Sequence, residues 1–230
     1  MKNSTEEIIN EINTYRDESK AAFLPRFFKT GKGEYGEGDQ FIGVVVPNLR
    51  IVAKKHFDAD FDTLRELLAS PYHEYRLTAL LALTYRYAKL KDHTSRETCV
   101  NFYVSQVDAI NNWDLVDLSC YKILGHWLFD KDKQLLYDWA KENHLWKQRI
   151  AMISCMHFVK QGEFKDALAI ADLLQHHPHD LIHKAVGWIL REIGKEDEQL
   201  LVDYLTPRSP ATRCPRRSPI PYCPPVRPEA

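Results

Sequence analysis

The run Leu77-Thr78-Ala79-Leu80-Leu81-Ala82-Leu83-Thr84 decides the fold. Leu77, Leu80, Leu81 and Thr84 recur at i, i+3, i+4 and i+7, which is one face of an α-helix and not the alternation of a half-buried strand. Ile182, Val186, Ile189 and Ile193 repeat the pattern one turn apart further along the chain. Working outward from these two anchors, the spacing predicts helices near 3–20, 48–56, 60–69, 72–88, 95–108, 113–128, 131–142, 146–160, 164–176, 179–193 and 196–205. Asp60 and Ser70-Pro71 stand where helix starts need caps, and Gly162 and Gly194 follow helical runs as terminators. Between 60 and 193 the helices fall into pairs of about 30–40 residues, the period of a helical-repeat solenoid. The expected architecture is all-α, a curved solenoid of antiparallel helix pairs whose concave side is a binding surface; a closed irregular bundle is the alternative.

Composition agrees with a globular helical body. The 230 residues are 44% hydrophobic and 27% charged, which excludes a disordered or fibrous chain. No stretch approaches eighteen apolar residues, and the N-terminus, with Lys2, Glu6, Glu7, Glu11, Arg16 and Asp17, is too charged for a signal peptide. A cytoplasmic protein with no membrane partner is expected. Cys99, Cys120, Cys155, Cys214 and Cys223 are odd in number and lack metal-site spacing, so they read as buried or free thiols.

Proline and charge are unevenly distributed. Eight of the twelve prolines lie in the last 24 residues, together with five arginines and one glutamate. Residues 1–206 therefore hold 26 bases against 31 acids, a formal charge of −5 that the total of −1 conceals. An acidic body argues against indiscriminate nucleic-acid binding but leaves room for a local basic face. Residues 207–230 are expected to be an irregular Pro/Arg-rich tail, separate from a domain at 1–206.

Two patterns that suggest cofactors have simpler readings. Gly31-Lys32-Gly33-Glu34-Tyr35-Gly36 matches G-x-G-x-x-G, yet it neither follows a strand nor opens a helix, and Glu34, Glu37 and Asp39 would repel a pyrophosphate. His176, His177, His179 and His183 crowd together without a cysteine or paired carboxylates, which favours helix-end and turn histidines over a metal. No metal or nucleotide cofactor is expected.

Three segments hold more tryptophan, arginine and carboxylate than packing requires. In Asn112-Trp113-Asp114-Leu115-Val116-Asp117, Asn112 can cap a helix on which Trp113 and Asp117 share a face. In Leu145-Trp146-Lys147-Gln148-Arg149-Ile150, Ile150 faces the core and Arg149 stays near a helix start. On the helix through 179–193, Ile182, Val186 and Ile189 form the apolar stripe, and Lys184, Trp188 and Arg191 share another face at i, i+4 and i+7. A lone helical tryptophan is ordinarily core. Two beside bases and a carboxylate suit an anionic polymer with a cationic or sugar-like reacting centre.

These segments, together with Lys29-Thr30-Gly31-Lys32-Gly33-Glu34-Tyr35-Gly36-Glu37-Gly38-Asp39-Gln40-Phe41-Ile42-Gly43-Val44, resemble the AlkD-type DNA alkylation-repair glycosylases over roughly residues 5–206. The resemblance implies a HEAT-like-repeat solenoid that holds alkylated double-stranded DNA in its channel. It also implies hydrolysis of the N-glycosidic bond of cationic purines such as 3-methyladenine and 7-methylguanine, without base flipping. It assigns the catalytic positions to Asp117, Trp113, Trp188 and Arg149, and phosphate or DNA contacts to Lys29, Lys32, Tyr35, Lys184 and Arg191. No obligate protein partner is implied, and a monomer is expected. The sequence departs from the family in two places. Val45 and Val46 precede Pro47 where some relatives have polar residues, and the Pro207–Pro219 stretch stands where another amphipathic helix is usual. A shifted reading frame or altered terminus is the expected cause of the second, with a genuine interaction tail as the rival. The competing functional class is a non-catalytic helical-repeat scaffold that binds protein or nucleic acid.

Overall fold

A computed structural model describes residues 4–206, and all of its regular elements are helical. The helices are α1 (Thr5–Asn13), α2 (Glu18–Phe23), α3 (Pro25–Phe28), α4 (Val46–Lys55), α5 (Phe61–Leu68), α6 (His73–Lys89), α7 (His93–Ser105), α8 (Trp113–Asp117), α9 (His126–Leu128), α10 (Gln134–Lys141), α11 (Leu145–Lys160), α12 (Lys165–Leu174), α13 (Asp180–Glu196) and α14 (Glu198–Leu205). A π-helical turn, Tyr121–Gly125, joins α8 to α9. The Pro/Arg-rich tail expected over 207–230 lies outside the described residues.

The helices form two rows. α4, α6, the α8–α9 segment, α11 and α13 pack side by side in chain order, and α5, α7, α10, α12 and α14 back them as a second row. This is the expected solenoid of antiparallel pairs. The anchoring periodicities become the seam between rows: Leu77, Leu80, Leu81, Ile182, Ile189 and Ile193 are all at most 1% exposed. Burying one such side chain contributes about 1.5–3 kcal/mol, so the seam and not helix propensity holds the stack together.

Several boundaries follow the expected chemistry. Asp60 caps α5 by accepting from the Thr63 N–H, and Gly162 turns the chain after α11 at φ +79°. Others differ. The helix expected over 3–20 stops at Asn13, because Asp17 accepts from the Ser19 and Lys20 amides and so starts a separate helix. Gly194 does not end a helix. It lies inside α13, packed against the Leu201 side chain, and the break comes at Asp197, whose carboxylate caps α14 through the Leu200 amide.

The loop before α4 is fixed by one side chain. Glu74, 2% exposed on α6, accepts from the amides of Ile42, Gly43 and Val44 at 2.8–3.3 Å. Gly43 sits there at φ +83°, where a Cβ would fall 1.9 Å from the Asp17 carbonyl oxygen. At Gly125 a Cβ would lie 2.3 Å from the Ser154 carbonyl, so a bare backbone is what lets the π turn lie against α11.

Candidate functional site

The start of α8 is built from distant sequence. Asn112, fully buried, caps the helix by accepting from the Trp113 N–H at 2.8 Å and donates through Nδ2 to Asp39 at 3.2 Å. Asp39 also pairs with Arg76 at 2.6 Å, and His73 Nε2 donates to Asp114 at 2.8 Å. Burial opposes charge on His73, but the Asp114 carboxylate and the hydrogen bonds to Asp114 and Asp39 outweigh it and raise its pKa to about 9. The network pins α8 to α6 and to the glycine loop. Trp113, half-buried, lies nearly parallel to Phe28 with ring centroids 5.4 Å apart.

One turn on, Asp117 meets Arg149 of α11 in a two-point contact: Nε to Oδ1 at 2.9 Å and Nη2 to Oδ2 at 2.7 Å. The third guanidinium nitrogen, Nη1, donates to the Leu181 carbonyl at the start of α13. The Asp117 side chain is 13% exposed and that of Arg149 5%. Burial pushes the Asp117 carboxyl above the usual range, Arg149 pulls it back, and the Asp114 charge adds a further upward push.

Arg149 and Trp113 line a cleft of about 290 Å³ together with Lys29, Tyr35, Asp180 and Lys184. The structure thus brings together most of the residues singled out in the sequence. Tyr35 stands edge-on to Trp146 and His179 at 5.6 and 6.2 Å, and burial raises its pKa. Lys29 is exposed in the left-handed conformation at φ +46°, and its charge acts on Asp180. Lys184 pairs with Asp180 at 2.8 Å. Trp188 is half-buried one turn further along α13, and Arg191 is exposed. Trp188 and Arg191 do not line this cleft. Lys32 is exposed on the glycine loop, also away from the cleft wall. Cavity size does not single the cleft out, since cavities of about 500 and 480 Å³ lie around Tyr87, Arg96, His126 and His157. The Arg149 guanidinium in its wall, paired with Asp117, does; Asp117 itself, like Trp188 and Arg191, is not one of the lining residues.

The glycine loop and the histidine cluster both make local hydrogen bonds. The Gly31 and Gly33 amides donate to the Glu34 and Glu37 carboxylates at 2.8 and 2.7 Å, so the loop's own acids occupy the groups a phosphate would need. His179 caps α13 through the Leu181 amide, His177 accepts from the His179 amide, and His183 hydrogen-bonds to the His177 carbonyl.

A cationic group escaped the sequence reading. Lys54 and Lys160 lie over the rings of Tyr85 and Tyr121, and Lys122 over Tyr121, at 5.4–5.7 Å. Burial, with the nearby charges of Arg50 and Lys160, depresses the Lys122 pKa. These residues come from α4, α6, the π turn and α11, the row that also carries the cleft. The one sequence signal was the i, i+4 pair Arg50 and Lys54.

A family model described as "DNA alkylation repair enzyme" matches residues 8–220, which includes 14 residues beyond those described structurally. A solved structure, "Predicted DNA alkylation repair enzyme from Enterococcus faecalis", superposes with a TM-score of 0.63 at 14% identity, covering 86% of this chain and 93% of that one. At that identity the likeness speaks for the fold. Among curated proteins none matches the sequence. Among the described residues no helix is long and apolar enough to cross a membrane. The family match spans nearly the whole chain, and the protein belongs to the DNA alkylation repair enzyme family.

Proposed function

We propose that the protein is a DNA glycosylase that hydrolyses the N-glycosidic bond of cationic alkylated purines in duplex DNA, acting as a monomer with the base left in the stack. The observation that supports it most is Asp117 held by two guanidinium bonds beside a cleft walled by Trp113 and cations. Alkylation has already made the base a good leaving group. The C1′–N bond breaks with its electron pair passing to the base, which neutralises the base and leaves positive charge on the sugar. A carboxylate and aromatic faces stabilise that charge. Each Asp117 oxygen keeps a lone pair not used by Arg149, and one of them orients the water that attacks C1′ and accepts its proton. Trp113 and Trp188 offer ring faces to the sugar. Lys29, Lys32, Lys184 and Arg191, with Arg50, Lys54, Lys122 and Lys160, supply phosphate contacts that position the duplex and read no sequence.

The test is release of 3-methyladenine or 7-methylguanine from methylated duplex DNA under single-turnover conditions. Asp117→Asn should lower the rate by at least about 10²-fold, the scale for removing one electrostatic stabiliser, and Trp113→Ala by about tenfold. Equal rates for wild type and Asp117→Asn would remove the catalytic assignment. Tight DNA binding with no base release by the wild type would identify a non-catalytic scaffold instead.

A further inference from the structure

The hollow of about 500 Å³ around Tyr87, Arg96, His126 and His157 has no part in the proposed reaction. It is walled by the C-terminal ends of α6 and α11, by α9 and by the start of α7, and its neighbour of about 480 Å³ shares those four residues. His157 lies about 12 Å beyond Arg149 along α11, at 1.5 Å per residue, so the hollow is well removed from the cleft. Tyr87, 2% exposed, hydrogen-bonds to His126 Nδ1 at 2.9 Å, and the His126 and His157 rings are 5.0 Å apart. The Arg96 guanidinium stands 5.6 Å from the Tyr87 ring centroid, steadied by donation from Nε to the Leu90 carbonyl at 2.9 Å. Burial pushes the Tyr87 pKa up to about 12, so the hydroxyl keeps its proton and donates it to Nδ1, which puts the His126 ring proton on Nε2. Among the described residues, His126 Nε2, both His157 ring nitrogens and the two terminal nitrogens of Arg96 make no hydrogen bond. None is among the buried unpartnered atoms, so each reaches solvent.

The charge around these donors has one sign. Arg96, Lys91 in the same wall and Lys122 in the neighbouring hollow form no ion pair with a described carboxylate, although residues 1–206 carry a formal charge of −5. Asp130, the one acid in the larger hollow's lining, is engaged with Lys131 at 2.9 Å. Burial, and after it the charge of Arg96, lowers the His126 pKa; burial, then His126 and Lys160, lowers that of His157. Unneutralised cations around open N–H donors in a concave wall are the complement of a compact, multiply charged anion. We propose that this hollow binds a phosphate dianion, either free phosphate or the monoester end of a small ligand. Arg96 gives its two terminal nitrogens to two phosphate oxygens, His126 Nε2–H and a His157 ring nitrogen reach the remaining oxygen, and Lys91 adds charge at the rim. The volume falls within the roughly 300–1,000 Å³ of small-molecule sites. A duplex, by contrast, presents its phosphates on a convex surface, which suits raised side chains better than a hollow with half-buried donors.

Isothermal titration of the full-length protein with inorganic phosphate, adenosine monophosphate and adenosine, at fixed ionic strength, tests this without any need for activity. One phosphate-bearing probe should bind per chain with a Kd below about 1 mM, and adenosine should not bind. Tighter binding of the monophosphate than of inorganic phosphate identifies a phosphorylated ligand, and equal affinity identifies free phosphate. Arg96→Gln should weaken binding about tenfold or more. His157→Asn, which breaks no hydrogen bond of the fold, should weaken it about threefold in a protein whose circular dichroism shows the wild-type helix content. No binding of either phosphate at millimolar concentration, unchanged affinity in both variants, or adenosine binding as tightly as its monophosphate would each overturn the proposal. Saturating duplex DNA should leave the monophosphate bound; its displacement would give the hollow to the DNA backbone and overturn the small-ligand site.

Discussion

Asp117 and His73 are the two residues whose protonation has readable consequences, and they run in opposite directions. The proposed reaction needs the Asp117 carboxylate, and burial holds its pKa above the ordinary aspartate value of about 3.9. Base release should therefore fall with acid at a higher pH than an exposed aspartate would impose. Arg149→Gln removes the group that pulls the pKa down and should move that acid limb higher still, as a pH–rate profile of both proteins would show. His73 gains stability from being charged. Its pKa rises from 6.5 to about 9, so its contribution is complete below pH 6.5 and is lost as pH climbs through 9. At 1.36 kcal/mol per unit this is roughly 3 kcal/mol, and His73→Gln should flatten the decline in thermal stability across that window. Trp113 and Asp117 were legible because a cap and an i, i+4 spacing place them on one face. The network beneath them was not, since Asn112 and Asp39 stand 73 residues apart and nothing local marks them as partners.

At the level of elements, the helices of the repeats could be read because each buries one stripe against the next row, and that burial writes a 3.6-residue period into the sequence. Residues 14–45 could not be read in this way. They are held by caps and backbone contacts rather than by an apolar stripe: Asp17 starts α2, Glu74 gathers three amides, and Gly43 approaches the Asp17 carbonyl. Glu74→Ala strands those buried amides and should cost about 3 kcal/mol or more, at about 1–3 kcal/mol for each unsatisfied group. Glu74→Gln keeps one acceptor oxygen and should cost clearly less, a ranking that urea unfolding of the two variants would check. The α8–α9 region was expected as a single helix over 113–128; the structure keeps its direction but passes through a π turn, for which Gly125 is the only visible sequence sign.

For the whole molecule, the proposed function requires a body with formal charge −5 in residues 1–206 to meet DNA through a local basic face, and the row formed by α4, α6, the α8–α9 segment and α11 carries Arg50, Lys54, Lys122, Arg149 and Lys160. Arg149 and Lys160 are separated along α11 by about 16 Å at 1.5 Å per residue. That exceeds the roughly 12 Å width of a major groove, so the cleft and the Lys122–Lys160 group lie far enough apart to meet different strands of one duplex. Each phosphate contact contributes about 0.9 to the slope of log affinity against log salt. The double variant Lys122→Ala with Lys160→Ala should flatten that slope by about two, and an unchanged slope would take this group out of the DNA path. The solenoid was legible from its repeat period, whereas the cationic row was not, because four elements contribute to it. Arg149 joins Asp117 of α8 to the Leu181 carbonyl of α13 from its own place on α11. Mechanically it is a gusset at one joint of a spring. Stacked repeats flex by small rotations between neighbours, and a brace across three of them stiffens the coil locally. On the proposed function, bending strain imposed by a bound duplex would be shed to the unbraced repeats, and the carboxylate would keep its aim while the rest of the coil yields.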